Sequence, residues 1–142
     1  MLLTNNNRSK AYLQNLIYND FIPNKVIVLN DKGINLVEHT ENDKLISEYT
    51  NQKFIRKLDD LNISFDEKEH VLKTIKKYNI EVIMINNLDI NSDEVIDEVT
   101  KIEDKYIVYS GPSSSILRTG ILSKGKKFIH VHPGLLPKFR GS

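Results

Sequence analysis

Residues 81–110 read EVIMINNLDINSDEVIDEVTKIEDKYIVYS, and this stretch decides the fold class. Glu81 to Ile85 is a short apolar run rich in β-branched residues, which predicts a strand. Asn91 with Glu94 has the spacing of a capping box and opens a helix through Val95, Ile96 and Val99. Tyr106 to Tyr109 is the next β-rich run. Two strands joined by a helix of this length form the crossover that parallel pairing requires.

The same alternation continues outward in both directions. Leu2 to Thr4 predicts a first strand, and Asn5 to Asn7 a turn-prone loop. Ser9 is positioned to cap a helix running to about Asn19, with Ala11, Leu13, Leu16 and Ile17 as its apolar positions. Pro23 breaks the chain, and Val26 to Leu29 reads as a second strand. Gly33 suggests a turn, and Lys44 to Leu61 carries helical spacing. Asp66 with Glu69 repeats the capping-box spacing ahead of a helix from Glu67 to Tyr78, with Val71, Leu72, Ile75 and Tyr78 on its buried face. Ser113 to Leu122 reads as a helix closed by Gly125, and Phe128 to His132 as the last strand. The expected fold is α/β, a Rossmann-like three-layer sandwich with a mostly parallel sheet, in one domain spanning residues 1–142.

Composition narrows the function classes. The 142 residues carry 20 basic and 19 acidic side chains for a net charge of +1, which gives no electrostatic case for nucleic acid. There is no cysteine, so the chain has neither disulfides nor thiolate chemistry, a usage compatible with the cytoplasm. No apolar run approaches a membrane span, and MLLTNNNRSK lacks a signal-peptide core. The loop after the first strand, Asn5 to Arg8, holds no glycine, so the dinucleotide fingerprint is absent and no nicotinamide site is expected. Ligands should still gather at the carboxyl ends of the strands.

The chemistry-bearing segment is FIHVHPGLLPKFRGS, residues 128–142. His130 and His132 are two apart on an expected strand and so share one face. Pro133 and Gly134 then start a loop in which Leu135, Leu136 and Pro137 supply an apolar wall. Two imidazoles beside such a wall suit general acid–base work. The same His-x-His pair also fits a buried hydrogen-bonded pair, or a zinc or iron site. His39 and His70 lie far upstream and no carboxylate cluster joins the pair, so no metal is expected.

FIHVHPGLLPKFRGS resembles the signature of the folate-dependent formyltransferases, a family whose members formylate methionyl-tRNA, glycinamide ribonucleotide or nucleotide-linked amino sugars. LLPKFRG matches the family pattern in order, and the likeness is specific over Tyr106 to Ser142. The resemblance implies that His132 is the catalytic histidine and that His130 stands where most members carry an asparagine that binds the oxyanion. It implies a donor pocket for 10-formyltetrahydrofolate lined by Ile116 and Leu117 and by Gly134, Leu135, Leu136 and Pro137. The implied partners are small molecules, a folate donor and an amine acceptor, with an amino sugar on a nucleotide preferred as acceptor. The family's catalytic aspartate comes some thirty-odd residues after the histidine, past Ser142. The reading therefore expects a domain incomplete at its carboxyl end, inactive alone and prone to self-association through exposed apolar surface. The competing readings are a metal-dependent amidohydrolase using the His-x-His pair and a non-catalytic module that keeps a folate-shaped pocket.

Overall fold

The structure, a computed structural model, describes residues 1–31 and 65–131. Its elements run β1 (Leu2–Thr4), α1 (Asn7–Tyr18), β2 (Lys25–Leu29), α2 (Val71–Lys77), β3 (Glu81–Ile85), α3 (Asp93–Lys101), β4 (Tyr106–Ser110), α4 (Thr119–Leu122) and β5 (Lys127–Ile129). The five strands form one sheet in the order β3-β2-β1-β4-β5, and every pairing is parallel. The chain first winds outward from β1 to β3, then crosses back to β4 and β5. The winding therefore reverses between β1 and β4, where a doubly wound sheet opens its ligand crevice.

Strand alternation builds the two faces. Leu2, Ile27, Leu29, Ile85 and Ile107 pack with Val95 and Val99 of α3 and Ile121 of α4. Leu3, Val26 and Val28 point the other way, against Leu13 and Ile17 of α1 and Val71 and Ile75 of α2. Neighbours such as Leu2 and Leu3 thus enter opposite layers, and both are fully buried. Each such side chain stabilises the fold by about 1.5–3 kcal/mol through its removal from water. The result is the three-layer α/β sandwich with a wholly parallel sheet among the described residues.

Several local expectations are corrected by side chains that claim backbone groups first. Asn6, not Ser9, caps α1: its side-chain oxygen accepts from the Ser9 N–H at 2.8 Å. Helix α2 begins at Val71 rather than Glu67, because α1 holds the preceding backbone. Gln14 donates to the Asp66 carbonyl at 2.9 Å and accepts from the Asp66 N–H at 2.6 Å, while Lys10 donates to the Glu67 carbonyl at 2.7 Å. His70 then caps the helix, with Nδ1 accepting from the Leu72 N–H at 3.1 Å. Tyr78, expected on the buried face, is exposed. Ser92 occupies the cap position of α3, so Asn91 is released for another task.

The helix expected over Ser113–Leu122 is confined to Thr119–Leu122. Asn91 donates to the Ile116 carbonyl at 3.0 Å and accepts from the Arg118 N–H at 2.8 Å, which removes both groups from any helical ladder. Ser114 has φ 64 in the turn before it. Strand β5 ends at Ile129, short of the expected His132. The helix expected within Lys44–Leu61 lies outside the described residues.

Candidate functional site

The carboxyl ends of β1 and β4 meet in a polar cluster at the winding reversal. Ser9, fully buried in the first turn of α1, donates within reach of the Ser110 carbonyl at 3.0 Å and the Ser110 hydroxyl at 2.9 Å. Arg8 donates through Nε to the Ser110 hydroxyl at 3.1 Å and through Nη2 to the Gly111 carbonyl at 3.0 Å. Asn6 completes the cluster by donating to the Thr4 hydroxyl at 2.7 Å. A cation in the first turn of a helix opposes the helix dipole, so these bonds to β4 are what hold Arg8 there. The β1–α1 loop and the end of β4 are thereby locked together.

Gly111 follows with a specific steric need. A Cβ there would lie 2.3 Å from the Tyr109 hydroxyl oxygen and 2.5 Å from its ring, so the Tyr109 ring occupies the space that glycine leaves. That ring stands edge-on to Phe128 at 6.5 Å and tilted against His130 at 5.8 Å. Tyr109 is only 7% exposed, and its hydroxyl has no hydrogen-bond partner among the described residues. Burial pushes its phenol above the ordinary value of 10, with Arg8 opposing the shift.

His130 leaves the sheet just beyond β5. Its Nδ1 lies 3.1 Å from the Tyr109 carbonyl, and the residue as a whole is exposed. The next residue, Val131, turns toward α1. Tyr12 donates its hydroxyl to the Val131 carbonyl at 2.8 Å and accepts from the Val131 N–H at 3.1 Å. His130 thus stands at the carboxyl end of the sheet, off the regular strand where the His-x-His reading had set it. His132, Gly134, Leu135, Leu136 and Pro137 lie outside the described residues.

Ile116 and Leu117 are separated by the geometry of their loop. Ile116 is 77% exposed and lines a cleft of 340 Å³ together with Asp89, Ile90, Asn91, Ser115 and Arg118. Leu117 instead packs against the core beneath α3 and α4. Asn91 shapes this cleft, since it fixes the loop on both sides of Leu117. Ser113 to Ser115 precede α4 rather than forming its first turn.

Among the described residues, no group of three or more His, Asp or Glu side chains has metal-holding geometry, and no helix is long and apolar enough to cross a membrane. Among the described residues, His130 follows the fifth strand in sequence, whereas the amidohydrolase reading needs the pair on the first strand of a barrel. The sequence did not mark Arg8, Tyr12, Tyr109 or Asn91 as site residues. Arg8 carried one usable signal, its unfavourable charge at a helix start. Asn91 carried the wrong signal, a capping-box spacing that Ser92 displaces. Comparison with protein-family models, with curated proteins and with solved structures finds no match to this chain.

Proposed function

We propose that this chain is the folate-facing α/β domain of a formyltransferase, which moves a formyl group from 10-formyltetrahydrofolate to a primary amine. The observation that carries the reading is the placement of Phe128 and Ile129 in β5 and of His130 just beyond it, the start of the FIHVHPGLLPKFRGS run, in a parallel sheet whose winding reverses one strand away. The cleft beside Ile116 supports a donor pocket at the same end of the sheet. In this reading the amine nitrogen attacks the formyl carbon, and His132 takes the proton that the nitrogen loses. The carbonyl oxygen gains negative charge as the tetrahedral intermediate forms, and donors aimed at it lower the barrier. Collapse breaks the bond to N10 of the folate and leaves a formamide. Gly134, Leu135, Leu136 and Pro137 would border the pterin in this reading. The preferred acceptor is an amino sugar on a nucleotide, since the near-neutral charge disfavours tRNA.

The test is calorimetric binding of 5-formyltetrahydrofolate, a non-transferring relative of the donor, to wild-type protein and to Ile116→Asp. Saturable binding by wild type that is weakened tenfold or more in the variant supports the pocket. Absence of binding in the wild type counts against the reading.

A further inference from the structure

The loop ahead of α4 places two unlike side chains on one wall of the cleft. Asn91 donates to the Ile116 carbonyl at 3.0 Å and accepts from the Arg118 N–H at 2.8 Å, while Leu117 between them packs into the core. The backbone at Arg118 is extended, with φ -102 and ψ 172. Side chains two apart on extended chain share a face, so with Leu117 turned inward Ile116 and Arg118 are turned outward together. Both line the 340 Å³ cleft, and Ile116 is 77% exposed in it. The polar groups of the cleft are unevenly committed. Asp89 accepts the Asn91 N–H at 2.9 Å, and both ends of the Asn91 amide are engaged by the loop. The Arg118 guanidinium makes no hydrogen bond or ion pair among the described residues, and neither do the hydroxyls of Ser114 and Ser115 in the same cleft. The wall therefore offers a ligand mainly N–H and O–H donors beside apolar surface. A guanidinium fork meets a carboxylate through two parallel bonds, a geometry that an ammonium lacks. The cleft volume lies within the range of small-molecule sites, roughly 300–1,000 Å³.

We propose that this cleft binds an aromatic carboxylate, with Arg118 gripping the carboxylate and Ile116 underlying the ring. The clamp of Asn91 and the anchor of Leu117 hold the two side chains in place before the ligand arrives, so little ordering is left to oppose binding. The identity of the ligand rests on the formyl-transfer reading; its chemical class does not. In that reading the donor carries an aminobenzoyl ring followed by glutamate carboxylates, and Arg118 holds this end of the donor, opposite the pterin. Arg118 then acts on donor affinity and takes no part in the chemical step.

The test is a titration of the ¹⁵N-labelled full chain, followed by backbone amide shifts, with p-aminobenzoyl-glutamate and with the neutral p-aminobenzamide. The first probe has the ring and the carboxylates but neither pterin nor formyl group. The expected result is saturable shifts at the Ile116 to Arg118 amides, with affinity about tenfold weaker in Arg118→Gln and intermediate in Arg118→Lys. Lys124→Gln, which removes an exposed cation from the same stretch of chain, should leave the affinity unchanged. The neutral probe should bind wild type and Arg118→Gln alike. Equal affinity of wild type and Arg118→Gln for p-aminobenzoyl-glutamate overturns the proposal. So does an equal loss in Lys124→Gln, which would mean unspecific attraction to positive charge, and so does the absence of saturable binding. Binding of this probe through Arg118 with no binding of 5-formyltetrahydrofolate counts against the donor reading and leaves the carboxylate site standing.

Discussion

Tyr109→Phe removes a single oxygen from the centre of the site and should stabilise the protein. The Tyr109 hydroxyl is buried without a partner among the described residues, so folding strips its water and returns nothing. Mutational data place that penalty at about 1–3 kcal/mol. The substitution keeps the ring that meets Phe128 and His130, and it leaves the main-chain carbonyl that His130 engages. The expected change is a gain of about 1 kcal/mol, or about 3 °C in Tm for a chain of this size. Urea unfolding followed by far-ultraviolet circular dichroism measures it. The effect should depend on pH with a definite sign. The folded phenol is held above its ordinary value of 10, so above that pH the unfolded chain releases a proton that the native protein keeps. Stability conferred by the neutral phenol is therefore present below pH 10 and lost as pH rises past it. Phenylalanine has no such loss, so the advantage of the variant should widen in alkali. A destabilisation of 1 kcal/mol or more at neutral pH would refute the reasoning, because it would mean that the hydroxyl is hydrogen-bonded in the native protein.

Three further outcomes follow from the same geometry. Burial lowers the Met1 amine from 8.0 to about 6, against the opposing pull of Asp104, so between those values the unfolded chain binds more protons than the native one. Stability should rise by about 2 kcal/mol from pH 6 to pH 8, measured as a shift in urea midpoint, and a flat profile would contradict it. Asn91→Ala should cost about 1–2 kcal/mol and accelerate hydrogen exchange at the Arg118 amide, which donates to Asn91; unchanged exchange would show that the loop is held otherwise. Ser9→Ala should cost about 1–3 kcal/mol, since it strips a buried donor from Ser110, and thermal unfolding reads the loss.

The sheet was legible in the sequence because strand period and burial agree there. Glu81–Ile85 and Leu2–Thr4 were placed to the residue, since alternate side chains in β1 and β2 fill opposite layers and leave no room for a different period. The helix starts were less legible. Asp66 and Glu69 have the spacing of a cap, but Gln14 and Lys10, more than fifty residues away, take the Asp66 and Glu67 carbonyls. The helix expected over Ser113–Leu122 failed for the same reason, with Asn91 as the distant partner. At the site, the position of His130 at the end of the sheet could be read, but its orientation could not. That orientation depends on Tyr109 and, through Val131, on Tyr12, and no local pattern announces either contact.

The central claim is formyl transfer, and product mass tests it most directly. A version extended past Ser142 to include the aspartate that the family resemblance implies is incubated with 10-formyltetrahydrofolate and a panel of nucleotide-linked amino sugars, beside its His132→Ala variant, and acceptors are analysed by mass spectrometry. The account predicts one added formyl group on an amine in the presence of wild-type protein, with transfer reduced by at least 10²-fold in His132→Ala. Formylation at equal rates with wild type and His132→Ala, or saturable donor binding with no formylated amine under any condition, would contradict it.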